Sequence, residues 1–489
     1  MLSRRIALNV FATYGRGVVA FLCGIFTSRW LLMSLGAEDY GIFGLVSGLV
    51  VFVTFFNQLL ASATMRFYAI GENVQSWFST ALILHGILAF VLVAVGTPIG
   101  LYVVEHGLVI PAGRLSAARC VFLCASAGCF VSMITVPFAA MWTAKQHLAE
   151  VAGIGLLQSV LNLGFVAWMV AHPGDWLARY AAWMMALLVG MQVVLVVGAW
   201  RKWSECRFAW NARRMRSDMA ALSQFAWWQF FGNLGVLAQT QGVSILINRV
   251  FGPVINSSHV IAGTVGGHTQ TLSASLQSAY EPVIVSAYGA GDIKTAETAA
   301  LRVCRVGSLM FLVFAIPLVL ELDEVLTIWL KTPPAFVSVL AGATLAMLAA
   351  DKLTVGHMIL VNASGKIAAY QAVLGSLAIL TLPIAGIAVW LGGGVASIAW
   401  TLVVVAAIKS FGRALFARRL VGLSMRRWLC EVVLPIGSVA MLSAGVGCVP
   451  RLGLDPSFGR VVLTTLCTLV VFVPVSWFFV LSPEEKKWR

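Results

Sequence analysis

The feature that most constrains this chain is a succession of long apolar runs written twice, with matching landmarks offset by roughly 217 positions. Gly36, after the first run, is answered by Gly252, and Arg66, closing the second run, by Glu281. Thr135-Val136-Pro137 in the fourth run is answered by Thr354-Val355-Gly356 in the tenth. Duplicated helix bundles of this kind move material across a bilayer by rocking one half against the other. The repeat therefore predicts a two-sided membrane machine before any residue chemistry is considered.

Hydrophobic residues make up 60% of the chain, charged residues 11%, and the mean hydropathy is +0.92. A soluble domain carries about 25% charged residues, so this composition excludes one. A helix needs about 20 apolar residues to cross the hydrocarbon core, and fourteen runs meet that requirement. Runs this continuous exclude a barrel, and helix is then the element that satisfies the backbone in lipid. The predicted class is an all-α polytopic membrane protein with about 14 transmembrane helices.

Four segments follow from the pattern: a six-helix bundle over 1–200, a basic loop over 201–221, a second six-helix bundle over 222–416, and residues 417–489. The last holds a basic loop, two additional helices with no counterpart in either half, and a tail. Met1-Leu2-Ser3-Arg4-Arg5 resembles the start of a signal peptide, but the apolar run is too long and contains Arg16, which makes it an uncleaved first span. The nine cysteines show no CxxC and no ligand-like spacing, so they read as small packing residues, and neither a metal nor a cofactor is expected.

The net charge is +14, and its location decides its meaning. Arg4, Arg5, Lys145, the cations of 201–216, Lys366, Arg418, Arg419, Arg426 and Arg427 fall on the side that an even number of spans gives to both termini. Glu38, Asp39, Glu105, Asp175, Glu321, Asp323 and Glu324 fall opposite. The positive-inside rule places both termini in the cytoplasm. No basic stripe remains for a nucleic acid.

Several polar groups lie inside the spans. Arg16 is about 15 Å deep at 1.5 Å rise per residue, where an arginine costs at least about 2.5 kcal/mol and a functional role is the default. Asn9 shares its face. Arg29 and Arg66 lie nearer span ends, where snorkelling and ligand contact are equal readings. The seventh span carries Gln229, Asn233, Thr240, Ser244 and Asn248 within one arc of about 100°. The eighth carries Thr264, His268, Thr271, Ser275 and Ser278 in a similar stripe. A cavity wall is the favoured reading of these stripes, and interhelical hydrogen bonding is the alternative.

His268 could carry a coupling proton or be a neutral, satisfied histidine. Glu281 precedes Pro282, where a kink is expected, and its place equivalent to Arg66 suggests a gate ion pair. Asp351 and Lys352 in the tenth span point about 100° apart and so seek separate partners. Lys409 and Arg413, near the end of the twelfth span, read as cytoplasmic anchors. No catalytic motif occurs, so energy must come from a gradient or the membrane potential.

The strings SLGAEDYGIFGLVSGLVVFVTFFNQLLASATMRF, FGNLGVLAQTQGVSILINRVFGPVIN and SAYEPVIVSAYGAGD, with Asp351 and Asn362-Ala363-Ser364-Gly365-Lys366, resemble the Wzx-type polysaccharide flippases. These belong to the multidrug/oligosaccharidyl-lipid/polysaccharide (MOP) exporter superfamily. The resemblance covers nearly the whole chain. It implies two pseudo-symmetric six-helix bundles in a V, a cavity lined by spans 1, 2, 7 and 8, and two C-terminal helices. It also implies a monomer of the bacterial inner membrane that flips an undecaprenyl-pyrophosphate-linked oligosaccharide by alternating access, for surface polysaccharides such as O-antigen.

On that resemblance Arg16, Arg29 and Arg66 hold the pyrophosphate. Asn9, Gln229, Asn233, Thr240, Ser244, Asn248, Thr264, Thr271 and Ser275 face the sugars, and His268, Glu281 and Asp351 serve ion coupling, by proton or sodium, or gating. Glu281 departs from the asparagine common at that place and leaves the coupling scheme open. The alternatives are a multidrug cation exporter of the same superfamily, a polytopic glycan ligase or polymerase, and a flippase for lipid-linked peptidoglycan precursor. Drug exporters favour an acidic residue deep in the first or seventh span, where this chain has Arg16 and amides.

Overall fold

A computed structural model describes residues 2–50, 64, 68, 74–145, 147–209, 234–364 and 368–481. Of the described residues 89% are helical, and none is in a strand. α1 spans Leu2–Gly48, α2 Val74–Tyr102, α3 Leu115–Ala144, α4 Leu148–Ala171 and α5 Leu177–Lys202. α6 spans Val243–Gly289, α7 Ile293–Leu320, α8 Leu322–Leu330, α9 Val337–Lys352 and α10 Val355–Ala363. α11 spans Ala368–Trp390, α12 Val395–Val421, α13 Met425–Trp428, α14 Leu434–Gly447 and α15 Phe458–Val475.

Among the described residues nine helices are long and apolar enough to cross a bilayer, and α9 with α10 forms a tenth span bent by 48°. The first and second expected spans share α1, and the seventh and eighth share α6. Phe90, Trp390 and Val470 are exposed side chains of a kind that hydrocarbon, not water, accommodates. The protein is a multi-pass membrane protein.

The chain divides into two compact units, Met1–Ser257 and Ser258–Arg489. This division by packing falls later than the 201–221 loop that separates the repeats, because the start of α6 packs in the first unit. There α1 lies on α4, and α3 on both α2 and α5. Ile42, Leu45, Phe122, Met133 and Leu177 make the core, and Ile245 of α6 packs against it. At one end Arg114 bridges two carboxylates, Asp39 and Asp175, at 3.0 Å each, and Arg119 holds Glu105 at 2.8 Å. At the other end the start of the basic loop is fastened down: Ala209 N donates to Ser79 Oγ at 2.9 Å and Gln75 to Arg207 O at 3.1 Å. The 203–209 stretch is thus built onto α2, and any hinge in the loop lies beyond it.

In the second unit α9 and α11 flank α12, α10 rests on α7, and α14 and α15 pack on each other and on α7. The stretch after Glu321 holds the short helix α8. The two additional helices are integral to this unit: both pack on α7, and Glu321 binds the second of them, α15. Its fully buried carboxylate accepts from Arg460 Nη2 at 2.8 Å and Nε at 3.1 Å, and from Thr464 Oγ1 at 2.8 Å. Two fork donors and a hydroxyl make a well-satisfied buried pair. Removing one partner leaves a buried uncompensated charge, at a cost of about 3–5 kcal/mol. Arg460→Ala should therefore lower the thermal midpoint of the detergent-purified protein far more than Arg451→Ala, an exposed control.

Glu205 receives Lys145 Nζ at 2.9 Å, and this hydrogen bond is the main cause that holds its carboxyl below the usual value of 4.5. A depressed carboxyl contributes stability above its unfolded pKa and loses it as pH falls through the folded one. The protection of 203–209 against hydrogen exchange, taken relative to the intrinsic rate at each pH, should fall on acidification from about pH 7 to about pH 3. In Glu205→Gln that protection should be lower at neutral pH and largely insensitive to the same change.

Candidate functional site

The two landmark glycines mark the same backbone event. Gly36 breaks α1 with φ 76° and ψ 168°, and Gly252 breaks α6 with φ 83° and ψ 177°. That region of dihedral space is essentially open to glycine alone. The break in α6 is at Gly252, and Pro282 lies within the helix that follows it. After each break the repeats meet at equivalent positions: a Cβ on Gly41 would lie 3.1 Å from Ser257 N and 2.0 Å from Pro253 O. Gly41 and Ser257 are separated by the same 216 residues as Gly36 and Gly252.

Buried amides lock this meeting point. Asn256 donates to Gly41 O at 3.2 Å and accepts from Ser244 Oγ at 2.8 Å. Asn248 Oδ1 accepts from Val109 N at 2.9 Å, and its Nδ2 donates to Val109 O at 3.3 Å. Both asparagines are 0% exposed. Ser244 and Asn248, expected on a sugar-facing wall, thus make protein–protein hydrogen bonds in this structure, the alternative that the polar stripe left open. Asn256 was missed by the stripe argument because helical periodicity does not continue through Gly252. The signal available was Asn256-Ser257-Ser258, three polar residues directly beyond an apolar glycine turn, each 0% exposed.

The second unit is broken differently. In α3 Thr135-Val136-Pro137 lies inside an unbroken helix, whereas the equivalent Thr354-Val355-Gly356 falls at the break between α9 and α10. The carbonyls released there are taken up: Ala350 O by Ser410 Oγ at 2.7 Å, Asp351 O by Thr354 N at 3.1 Å, and Leu353 O by Trp428 Nε1 at 2.9 Å. Gly356 N turns to Cys304 Sγ at 3.2 Å. A Cβ on Gly356 would fall 2.0 Å from Ala300 O, so α10 lies directly against α7.

Asp351 pairs with Arg413 Nη1 of α12, and Lys352 Nζ meets Gln270 Oε1 of α6 at 3.5 Å. The separate partners expected from their angular spacing are present. Arg413 is not an interfacial anchor: its side chain is 12% exposed and also bonds the Tyr370 hydroxyl. Its place near a span end suggested otherwise, and only the packing of α9 and α11 on α12 shows that the end is enclosed.

Of the remaining expected site residues, Arg29 is half-buried in α1, and its Nε has no hydrogen-bond partner among the described residues. Thr240 and Thr271 are exposed and Thr264 half-buried, each bonding a carbonyl one turn back, at 3.0, 3.1 and 3.1 Å. His268 is half-buried and Glu281 exposed. The side chains of Asn9, Arg16 and Ser275, and residues Arg66, Gln229 and Asn233 entirely, lie outside the described residues, as does Arg66 as partner for Glu281. Among the described residues no three His, Cys, Asp or Glu side chains gather as a metal site would require.

The chain is similar in structure to a lipid II flippase, MurJ, in an inward closed conformation, with a TM-score of 0.64 at 10% identity. That match covers 97% of this chain and 98% of the other. The fold is that of the MOP superfamily transporters. An inward-facing multidrug resistance MATE family transporter of this superfamily matches with a TM-score of 0.64 at 14% identity, covering 85% of this chain and 98% of the other. A MOP superfamily transporter from Pyrococcus furiosus matches at 0.62 and 14% identity, covering 86% and 95%. No family model matches the sequence, and no curated protein does.

In this MOP-type fold the meeting point at Gly41 admits no side chain, since the opposing atom is a backbone carbonyl. Gly41→Ala should separate the 253–257 stretch from α1 and expose the asparagine lock. Hydrogen exchange across 244–257 should then rise by about tenfold or more, the loss of an orphaned buried bond being about 1–3 kcal/mol. Unchanged protection would contradict the packing.

Proposed function

We propose that this chain is a lipid-linked oligosaccharide flippase, which turns an undecaprenyl-pyrophosphate-linked glycan from the cytoplasmic to the periplasmic leaflet by alternating access. Both termini are then cytoplasmic, and an ion gradient drives the cycle. The observation that carries this reading is the extent of the match to the lipid II flippase, which takes in 97% of the chain. The drug exporter match takes in 85%, and the remainder equals in size the share of residues 417–489.

Interior charge supports the same substrate class. The buried Nε of Arg29 in α1 has no hydrogen-bond partner among the described residues, and Arg16 lies deeper in the same apolar run. A pyrophosphate leaving the headgroup layer needs such donors, and arginine meets its oxygens in a fork. An organic cation would be repelled by them.

Reconstitution into vesicles with a fluorescent undecaprenyl-pyrophosphate oligosaccharide tests the reading through the fraction of label protected from a membrane-impermeant quencher. Transfer is expected, and Arg29→Gln should slow it by about tenfold or more if one charge-assisted contact is lost. The absence of leaflet transfer with every glycan tried would overturn the reading.

A further inference from the structure

The end of α12 and the start of α13 make one corner of the second unit. Gly422, at φ 80°, caps α12 in the left-handed region, with Gly422 N donating to Arg418 O at 3.1 Å and Leu423 N to Ala417 O at 3.4 Å. Ala417 and Leu423 are buried in one apolar cluster with Ala296 and Ala300 of α7, and Trp428 in another with Ala414. The chain thus reverses on a packed floor. That reversal brings Arg418 and Arg419 of α12 to the same end of the unit as Arg426 and Arg427 of α13, the two helices being in contact.

The four arginines differ in their partners. Arg427 takes two carboxylates: its Nη1 lies 3.2 Å from Glu297 Oε2 and its Nε 2.8 Å from Glu431 Oε1. Glu297 also accepts from Ser424 N at 3.3 Å, so Arg427 and Glu297 together fasten the turn to α7. Arg418, Arg419 and Arg426 are exposed and have no ion-pair partner among the described residues.

Helical rise gives their depth. Phe411 is 53% exposed and lies seven residues, about 10 Å, before Arg418 in α12. Leu434 is 61% exposed and lies eight residues, about 12 Å, beyond Arg426. Exposed apolar side chains of a membrane helix face hydrocarbon, and the polar layer outside it is about 5–7 Å thick on each side. The three arginines therefore reach the level of lipid phosphates, with apolar surface beneath them for acyl chains.

We propose that Arg418, Arg419 and Arg426 form a docking surface for the headgroups of anionic phospholipids in the leaflet that meets this end of the second unit. Basic clusters directly beyond a membrane helix attract anionic lipid, and each guanidinium offers a fork of donors to phosphate oxygens. The surface goes beyond the flippase reading and does not depend on it, since the bound lipid is a resident of the bilayer and not the cargo.

Native mass spectrometry of the detergent-purified full chain, with phosphatidylglycerol or phosphatidylcholine of the same acyl chains added, tests the surface. Wild type should hold phosphatidylglycerol about tenfold or more tighter than phosphatidylcholine, and Arg418→Gln/Arg419→Gln/Arg426→Gln should lose most of that preference. Its thermal midpoint without added lipid should match wild type, because none of the three side chains holds a carboxylate. Arg418→Lys/Arg419→Lys/Arg426→Lys should keep a large part of the preference, and each single glutamine variant should lose a smaller share, which carries the test if the triple variant does not fold. Equal retention of the two lipids by wild type, or an undiminished preference in the glutamine variants, would overturn the surface. Binding of farnesyl pyrophosphate without preference for phosphatidylglycerol would assign the arginines to a pyrophosphate carrier and overturn it as well. No glycan is present in these measurements, so their outcome is separate from that of leaflet transfer.

Discussion

Hydrocarbon offers no hydrogen-bond partner to a backbone amide or carbonyl, so every departure from helix inside the membrane must be satisfied by the protein itself. Three such departures among the described residues organise their surroundings. At Gly36 and Gly252 the chain turns through dihedrals that only glycine adopts readily, and the segments that follow meet at Gly41 and Ser257. At residues 353–354 the tenth span bends, and side chains from α12 and α13 close over the freed carbonyls. Two of these breaks obey the repeat, and the third departs from it.

That departure is where the chemistry has diverged. The fourth span of the first repeat carries Pro137 within a continuous helix. Its counterpart is interrupted, and the interruption holds Asp351, Lys352 and the side chain of Arg413. A duplicated scaffold can tolerate such a change because each unit has its own apolar core. In the first unit the core centres on Ile42, Leu45 and Met133, and in the second on Ala300, Val303 and Leu360.

The helical class, the repeat and the landmark glycines were legible in the sequence, because composition and spacing alone determine them. So was the divergence of Asp351 and Lys352 to separate partners, which follows from 100° per residue. Partner identity was not. A stripe of amides looks the same whether it faces sugar, water or another helix, and Ser244 and Asn248 face protein here. Arg413 read as an anchor because distance along a span measures depth only when nothing packs over its end. Asn256 lay beyond a glycine that resets the helical phase, so no periodic argument could place it with Ser244.

The central claim is that a MOP-type fold with cations in its interior carries an anion rather than a cation. Its most direct test compares two substrates in the same reconstituted vesicles: leaflet transfer of an undecaprenyl-pyrophosphate oligosaccharide and efflux of ethidium, each against protein-free vesicles. The account predicts transfer of the lipid-linked pyrophosphate at a rate well above background and ethidium efflux at background. Efficient ethidium efflux with no transfer of the lipid would contradict it.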